Sequence, residues 1–188
     1  MADHTLSWET RGAAMATLQR VTVMMRSKNE HTAGEDQQVE IRLFRPEDAA
    51  AFQALNEAWI TKFFGMEEHD HEMLGDPEGY ILRPGGQIVM AFLGGRATAC
   101  CALIPEGPGV YEVAKMAVSE ELRGRGIGRK VLEFTVAEAR RMGASLLTLA
   151  TSSKLQNAIH LYETIGFQHL PPVPSPYARA DVFMEMHL

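Results

Sequence analysis

From Val39 onward, apolar and polar positions alternate between two periods, and the switches between them divide the chain into elements. "VEIRLF" (Val39 to Phe44) alternates with a period of two and predicts a strand. "RPEDAAAFQALNEAWITKFF" follows, with Pro46 and then acids at its start, both signals of a helix N-terminus. The acidic stretch "GMEEHDHEMLGDPEGYIL" predicts a second, short helix. "GQIVMAFLGG" and "RATACCALIP" meet at Gly94 and Gly95 and read as a β-hairpin. "GVYEVAKMAV" is a further strand, and a glycine-rich turn carries it into a helix whose stripe is Leu132, Val136 and Ala139, closed by Gly143. "SLLTLAT" is a buried strand. "SSKLQNAIHLYETIGF" is a helix with serine caps, an apolar stripe of Leu155, Ile159 and Tyr162, and a terminating Gly166. "GFQHL", a proline-rich loop and "DVFMEMHL" complete the chain.

The order is strand, one or two helices, three strands, helix, strand, helix, two strands. It predicts an α/β fold with a mixed central sheet of about six to seven strands, about four flanking helices, and antiparallel hairpins at both ends. Residues 1–37 lack such periodicity, end in "RSKNEHTAGEDQQ" and read as a loosely ordered extension before a domain at 38–188. Met15, Met24 and Met25 leave open a natural start further in.

Composition narrows the classes. With 188 residues, 46% of them hydrophobic, the chain is long enough to bury an independent core. A formal net charge of −6 argues against a nucleic-acid binder, which would carry a basic surplus, and weakly favours cationic substrates. No stretch approaches the length of a membrane span. "TLQRVTVMM" is broken by Gln19 and Arg20 and does not read as a signal peptide, so a cytoplasmic location is expected. The two cysteines, Cys100 and Cys101, are neighbours whose side chains leave a strand on opposite faces. They read as buried thiols of a reducing compartment rather than a disulfide.

The turn "LRGRGIGRK" (Leu122 to Lys130) sits where a strand ends and a helix begins. Outward N–H groups and the positive end of the helix make such a corner an anion site. A P-loop would need Gly-Lys followed by Ser or Thr, but Gly128 is followed by Arg129, Lys130 and Val131. A dinucleotide fingerprint would need a third glycine where Arg129 stands and an acid near position 150, where the chain reads "TLATSS". What remains is Arg123-x-x-Gly126-x-Gly128.

That pattern resembles the R/Q-x-x-G-x-G/A signature of the GNAT (Gcn5-related N-acetyltransferase) superfamily. "YEVAKMAV" before it resembles the family's acetyl-CoA strand, and Asn157, Tyr162 and Gly166-Phe167 resemble its second signature. The resemblance covers roughly residues 38–188. It implies acetyl-CoA as co-substrate, with no metal, and an acyltransferase that moves acetyl from acetyl-CoA to a primary amine by direct attack in a ternary complex. The pyrophosphate would lie on the backbone of Gly124, Arg125, Gly126, Ile127 and Gly128, with Arg123, Arg125 and Arg129 adding charge. Arg125 and Arg129 read equally as solvated side chains. Asn157 and the backbone of Met116, Ala117 and Val118 would hold the rest of coenzyme A, with the Met116 N–H facing the thioester oxygen.

Two residues are candidates for proton transfer. Glu112, as base, would share a strand face with Ala114, Met116 and Val118, an apolar setting that raises a carboxylate's pKa. A solvated carboxylate is the plainer reading. Tyr162, as acid, lies on the inward stripe of its helix, where an ordinary packing tyrosine would also lie. The acids of "EEHDHE" (Glu67 to Glu72) would attract a cationic amine or form a solvated helix face. His69 and His71 lack the ligand set of a metal site. Phe63, Phe64 and Tyr80 would wall the acceptor cleft or fill the core, and Tyr177 and Arg179 would close over the substrate, Arg179 against a carboxylate. The expected partner is a small-molecule amine, with neither nucleic acid nor membrane, in a possible homodimer. The alternatives are a lysine or N-terminal protein acetyltransferase and a non-catalytic acyl-CoA sensor.

Overall fold

The computed structural model describes residues 38–172 and 178–188; the predicted extension at 1–37 lies outside them, as does Tyr177. Seven strands form one sheet in the order β1-β2-β3-β4-β5-β7-β6. They are β1 (Glu40–Leu43), β2 (Gln87–Leu93), β3 (Arg96–Gly107), β4 (Val110–Val118), β5 (Leu146–Thr151), β6 (Gln168–Leu170) and β7 (Val182–His187). All neighbours are antiparallel except β4 and β5. Among the described residues the α-helices are α1 (Ala49–Phe63), α2 (Glu68–Gly75), α3 (Ile127–Arg141) and α4 (Gln156–Ile165).

The periodicities are realised as two apolar layers, one on each face of the sheet. Phe52 and Ile60 of α1 and Met73 and Leu74 of α2 pack with Met90, Cys100, Ala102 and Ala117. Val131, Leu132, Val136 and Ala139 of α3 and Tyr162 of α4 pack on the other face with Val89, Cys101, Val113, Leu147 and Met184. The adjacent cysteines are buried in opposite layers as free thiols, and burial pushes both up to about 12. Gly94 and Gly95 turn the β2–β3 hairpin with φ of 57° and 77°, the left-handed conformation of a two-residue hairpin turn. Pro46 opens a short 3-10 turn, Pro46–Asp48, that leads into α1. Asp48 accepts both ends of the Arg42 guanidinium at 2.6 and 2.9 Å, which ties β1 to the start of that helix.

Two local features differ from the sequence expectation. The serines do not cap α4: the helix starts at Gln156 after Leu155, and Ser153 instead donates its N–H and hydroxyl to Asp181, both at 2.6 Å. The preference of serine for helix starts is local, and a carboxylate arriving at the foot of β7 outcompetes it. The other difference lies in β4. Cys100 pairs with Ala117 but Ala102 pairs with Ala114, so β4 carries one extra residue, a bulge at Lys115 and Met116. Lys115 adopts φ +49° to make it. Beyond the bulge the side chains exchange faces. Met116 and Val118 pack in the α3/α4 layer, whereas Glu112, Ala114, Lys115 and Ala117 lie toward α1 and α2. The expected shared face of Glu112 with Met116 and Val118 is therefore corrected; strict alternation holds only while the ladder has no insertion.

Candidate active site

Strands β4 and β5 run parallel for only three pairs, from Val110↔Leu146 to Glu112↔Thr148, and then part. Past this fork β4 continues to Val118 with no β5 ladder beside it. A cavity of about 900 Å³ occupies the opening, walled by β4, the end of β5, the start of α3, α4, and the C-terminal end of α1. A smaller groove of about 390 Å³ beside it is lined by Ala51, Ala54, Ala58 and side chains already in ion pairs, such as Arg96 with Glu121.

One wall is the glycine turn. Gly124 and Gly126 have φ of 76° and 75°, a conformation that costs an L-residue about 1–2 kcal/mol, and Gly126 is the residue from which α3 starts. A Cβ on Gly128 would stand 3.4 to 3.6 Å from side-chain atoms of Val118, Leu161 and Met116, in ordinary van der Waals contact between β4 and α4. The first N–H groups of a helix have no acceptor within it. Those of Gly126, Ile127, Gly128 and Arg129 belong to residues that line the cavity, together with Arg123 and Gly124. Arg125 is exposed and does not line it, so the structure sets this one predicted contact apart. Arg129 reaches across to donate to the Thr164 hydroxyl at 2.8 Å, and the Arg123 guanidinium lies 5.8 Å from the Phe63 ring centroid. A Gly126→Ala variant meets no atom within 4 Å, so its cost is backbone strain alone. Thermal unfolding should show a modest destabilisation of about 1–2 kcal/mol, and the change in turn geometry should weaken acetyl-CoA affinity measured by calorimetry.

The opposite wall holds the proton-handling candidates. Glu112 stands at the fork, and Tyr162 approaches from the α3/α4 side with its hydroxyl donating weakly to the Met116 sulfur at 3.8 Å. Both line the cavity, as do Met116, Ala117, Val118 and Asn157. Burial raises the Glu112 carboxyl to about 7, the neighbouring charge of Glu106 adds to the rise, and that of Lys115 opposes it. Glu106 is itself held by the Thr148 hydroxyl at 2.5 Å, on the strand residue that pairs with Glu112. Burial also holds the Tyr162 phenol above its usual value, which keeps it a donor at neutral pH. Glu112 is only partly exposed, unlike the solvated carboxylate of the plainer reading, whereas the burial of Tyr162 in the α3/α4 layer suits a packing tyrosine equally.

A cluster that sequence reasoning missed lies beside Glu112. Lys115 donates to Asp70 at 2.7 Å, and Arg179 donates to both Asp70 oxygens at 2.8 Å and to Glu67 at 3.1 Å. Asp70 is fully buried, and its carboxylate also accepts the Glu67 N–H that starts α2. Burial alone would raise the Asp70 carboxyl, but the hydrogen bonds from Arg179 and Lys115 hold it well below the usual carboxylate range. Burial draws the Lys115 pKa down against the pull of Asp70. Of the acids at 67–72, Asp70 is buried and internally neutralised and Glu67 pairs with Arg179, whereas Glu68 and Glu72 are exposed, as a solvated helix face would have them. Arg179, predicted to close over the substrate, is anchored on α2 and lines the cavity from there. Phe63 and Phe64 also line it, while Tyr80 is exposed elsewhere. The signal available in the sequence was Lys115 itself, a lone charge inside the apolar strand "VYEVAKMAV".

Residues 50–167 match the profile of the Acetyltransferase (GNAT) family. The chain is 34% identical over 106 residues to an N-acetylaspartate synthetase of Homo sapiens, a match that covers 53% of this chain but only 34% of that protein. The chain thus spans about a third of that relative's length. Among solved structures, an acetyltransferase of the GNAT family from Staphylococcus aureus superposes with a TM-score of 0.73 at 18% identity, covering 79% of this chain and 98% of that one. An acetyltransferase from Salmonella typhimurium solved with acetyl-CoA superposes with a TM-score of 0.66 at 20% identity, covering 79% and 93%.

Proposed function

We propose that this chain, which belongs to the GNAT acetyltransferase family, transfers an acetyl group from acetyl-CoA to the primary amine of a small molecule within a ternary complex. The observation that carries the reading is the shared cavity at the β4–β5 fork. It has a helix N-terminus with a glycine turn at one end, and a carboxyl raised to about 7 and a buried phenol at the other.

The donor set suits acetyl-CoA. The N–H groups at the start of α3, with Arg123 and Arg129, would hold its pyrophosphate. The β5-facing edge of β4 past Glu112, with Asn157 opposite, would hold its amide-bearing arm. When bound there, acetyl-CoA supplies an acetyl group already activated as a thioester. Every other requirement falls to side chains and backbone of this chain. An alkyl amine is largely protonated at neutral pH and must lose a proton before it attacks. Glu112, poised near neutrality, accepts that proton directly or through water. The Met116 N–H, at the bulge where β4 shifts register against β3, would stabilise negative charge developing on the thioester oxygen. Tyr162, a neutral phenol at neutral pH, would donate its proton to the departing thiolate and be reprotonated from solvent.

A panel of polyamines, amino acids, aminoglycosides and peptides, assayed for free coenzyme A, tests the reading. Release with a small amine supports it. Turnover confined to peptides would replace the small molecule with a protein acceptor, and tight acetyl-CoA binding without any turnover would make the protein a sensor. Tyr162→Phe is expected to lower kcat roughly 10²-fold with the acetyl-CoA Kd unchanged. Unchanged turnover would remove Tyr162 from the mechanism.

A further inference from the structure

Cys100 stands on β3 where that strand loses register with β4, and its thiol donates to the Lys115 carbonyl at 3.5 Å. Asn56 of α1 in turn donates from Nδ2 to the Cys100 sulfur at 3.3 Å. Amide, thiol and carbonyl form a chain that runs from the helix to the bulge. Asn56 and Cys100 are both fully buried, and Cys100 packs there with Phe52, Ile60 and Met90.

The partners determine the direction of the chain. Nδ2 also donates to the Phe52 carbonyl at 2.9 Å, which identifies that end of the amide as the nitrogen. A sulfur that accepts from Asn56 must aim its own hydrogen elsewhere, and the Lys115 carbonyl receives it. Burial pushes the thiol up to about 12, so that hydrogen is present at neutral pH. Packing alone does not account for the amide. Its Oδ1 is buried with no hydrogen-bond partner among the described residues, and such an orphan is unfavourable beside an apolar side chain of the same shape.

The chain fastens the peptide between Lys115 and Met116. That unit is planar and trans, so its C=O and N–H point in opposite directions. With the carbonyl turned to Cys100, the Met116 N–H faces away from Cys100 and from Asn56 behind it. Met116 itself lines the cavity, whereas Asn56 and Cys100 do not. Lys115 holds φ +49°, a conformation that an L-residue keeps only where its surroundings impose it. Resting on the acetyltransferase reading above, we propose that Asn56 and Cys100 are positioning residues, which act through the Lys115 carbonyl to aim the Met116 N–H at the thioester oxygen of acetyl-CoA. A donor aimed at a developing oxyanion acts on the transition state more than on bound substrate, so its misalignment reads in kcat rather than in KM.

The test pairs two variants of nearly equal size on the full chain, Cys100→Ser and Cys100→Ala. Serine keeps a donor for Lys115 and an acceptor for Asn56; alanine keeps neither, and both leave a similar void. Cys100→Ala is expected to lower kcat roughly 3- to 30-fold, part of the roughly 10²–10³-fold lost when an oxyanion donor is removed outright. The KM for each substrate should stay unchanged. Cys100→Ser should stay within roughly 3-fold of the wild-type kcat. Equal losses in the two variants would reduce Cys100 to packing and overturn the proposal, as would full activity in Cys100→Ala. Asn56→Leu should lower kcat by a similar factor, and an unchanged kcat there would break the chain at its first link. Infrared spectra of bound acetyl-CoA, isotopically labelled at the thioester carbonyl, decide the matter without an acceptor. The carbonyl stretch should fall below that of free acetyl-CoA in the wild-type protein and in Cys100→Ser, and by less in Cys100→Ala and Asn56→Leu. An equal shift in all four proteins, or none in the wild type, sinks the proposal while acetyl-CoA binding leaves the acetyltransferase reading intact. Failure to bind acetyl-CoA at all would overturn that reading and this proposal with it.

Discussion

Glu112→Gln is expected to lower kcat/KM for the acceptor by roughly 10²–10⁴-fold without changing the Kd for acetyl-CoA. The wild-type pH profile should rise through about 7, because the free carboxylate is the active form and burial beside Glu106 places its titration there. The amide neither titrates nor accepts a proton, so the variant should lose that limb. Stability should move the other way. A carboxyl whose folded pKa lies above its ordinary value near 4.5 favours folding fully below that ordinary value, and the benefit is lost as pH rises through the folded value of about 7. At pH 8 the wild-type protein therefore holds a buried charge that glutamine does not impose. Glu112→Gln should unfold at a higher temperature there, by a difference on the order of 1–3 kcal/mol, and the gap should shrink toward pH 4. A variant that keeps its activity and its pH limb would remove Glu112 from the role of base.

Asp70→Asn should be the most damaging single change to the fold among the polar residues. It leaves Lys115, 4% exposed in its side chain, and Arg179, 15% exposed, facing each other across a neutral amide. Removing one member of a buried ion cluster costs about 3–5 kcal/mol, because the remaining charges lose both partner and solvent. For a domain of this size that corresponds to a fall of roughly 10 °C or more in Tm. The pH dependence has a definite sign. A carboxyl whose folded pKa is depressed stabilises the protein above its unfolded value, near 3.8, and loses that contribution as pH falls through the lower folded value. The difference between wild type and Asp70→Asn should be full at pH 7 and should narrow only below about pH 4. A constant gap down to strongly acid pH would mean that packing, not the ion cluster, accounts for the loss. Activity should fall as well, because α2 and Arg179 would no longer be held against β4.

Much of the molecule was legible before any coordinates. The elements followed from period: two for "VEIRLF", 3.6 for the stripe Leu132, Val136 and Ala139, and Gly94-Gly95 for the hairpin between them. The glycine turn was legible because it is local. Gly124, Gly126 and Gly128 sit within five residues of one another, and their conformations need no distant partner. The inward position of Tyr162 followed from the same helical spacing and is buried as expected.

Other features required contacts that no local pattern encodes. The serines before α4 read as caps, but the partner of Ser153, Asp181, arrives from 28 residues away. The bulge at Lys115 arises from pairing with β3, and it alone decides which side chains of β4 face Glu112. Lys115 meets Asp70 across 45 residues and Arg179 meets it across 109, so their charges could not be paired on paper. By itself the sequence determined the order of elements, the anion corner at the head of α3 and the family it resembles, since each depends on neighbours along the chain. Tertiary structure alone decided that Asp70, Lys115 and Arg179 meet in one ion cluster with Asp70 fully buried. Burial in a folded core is a property of distance in space rather than along the chain.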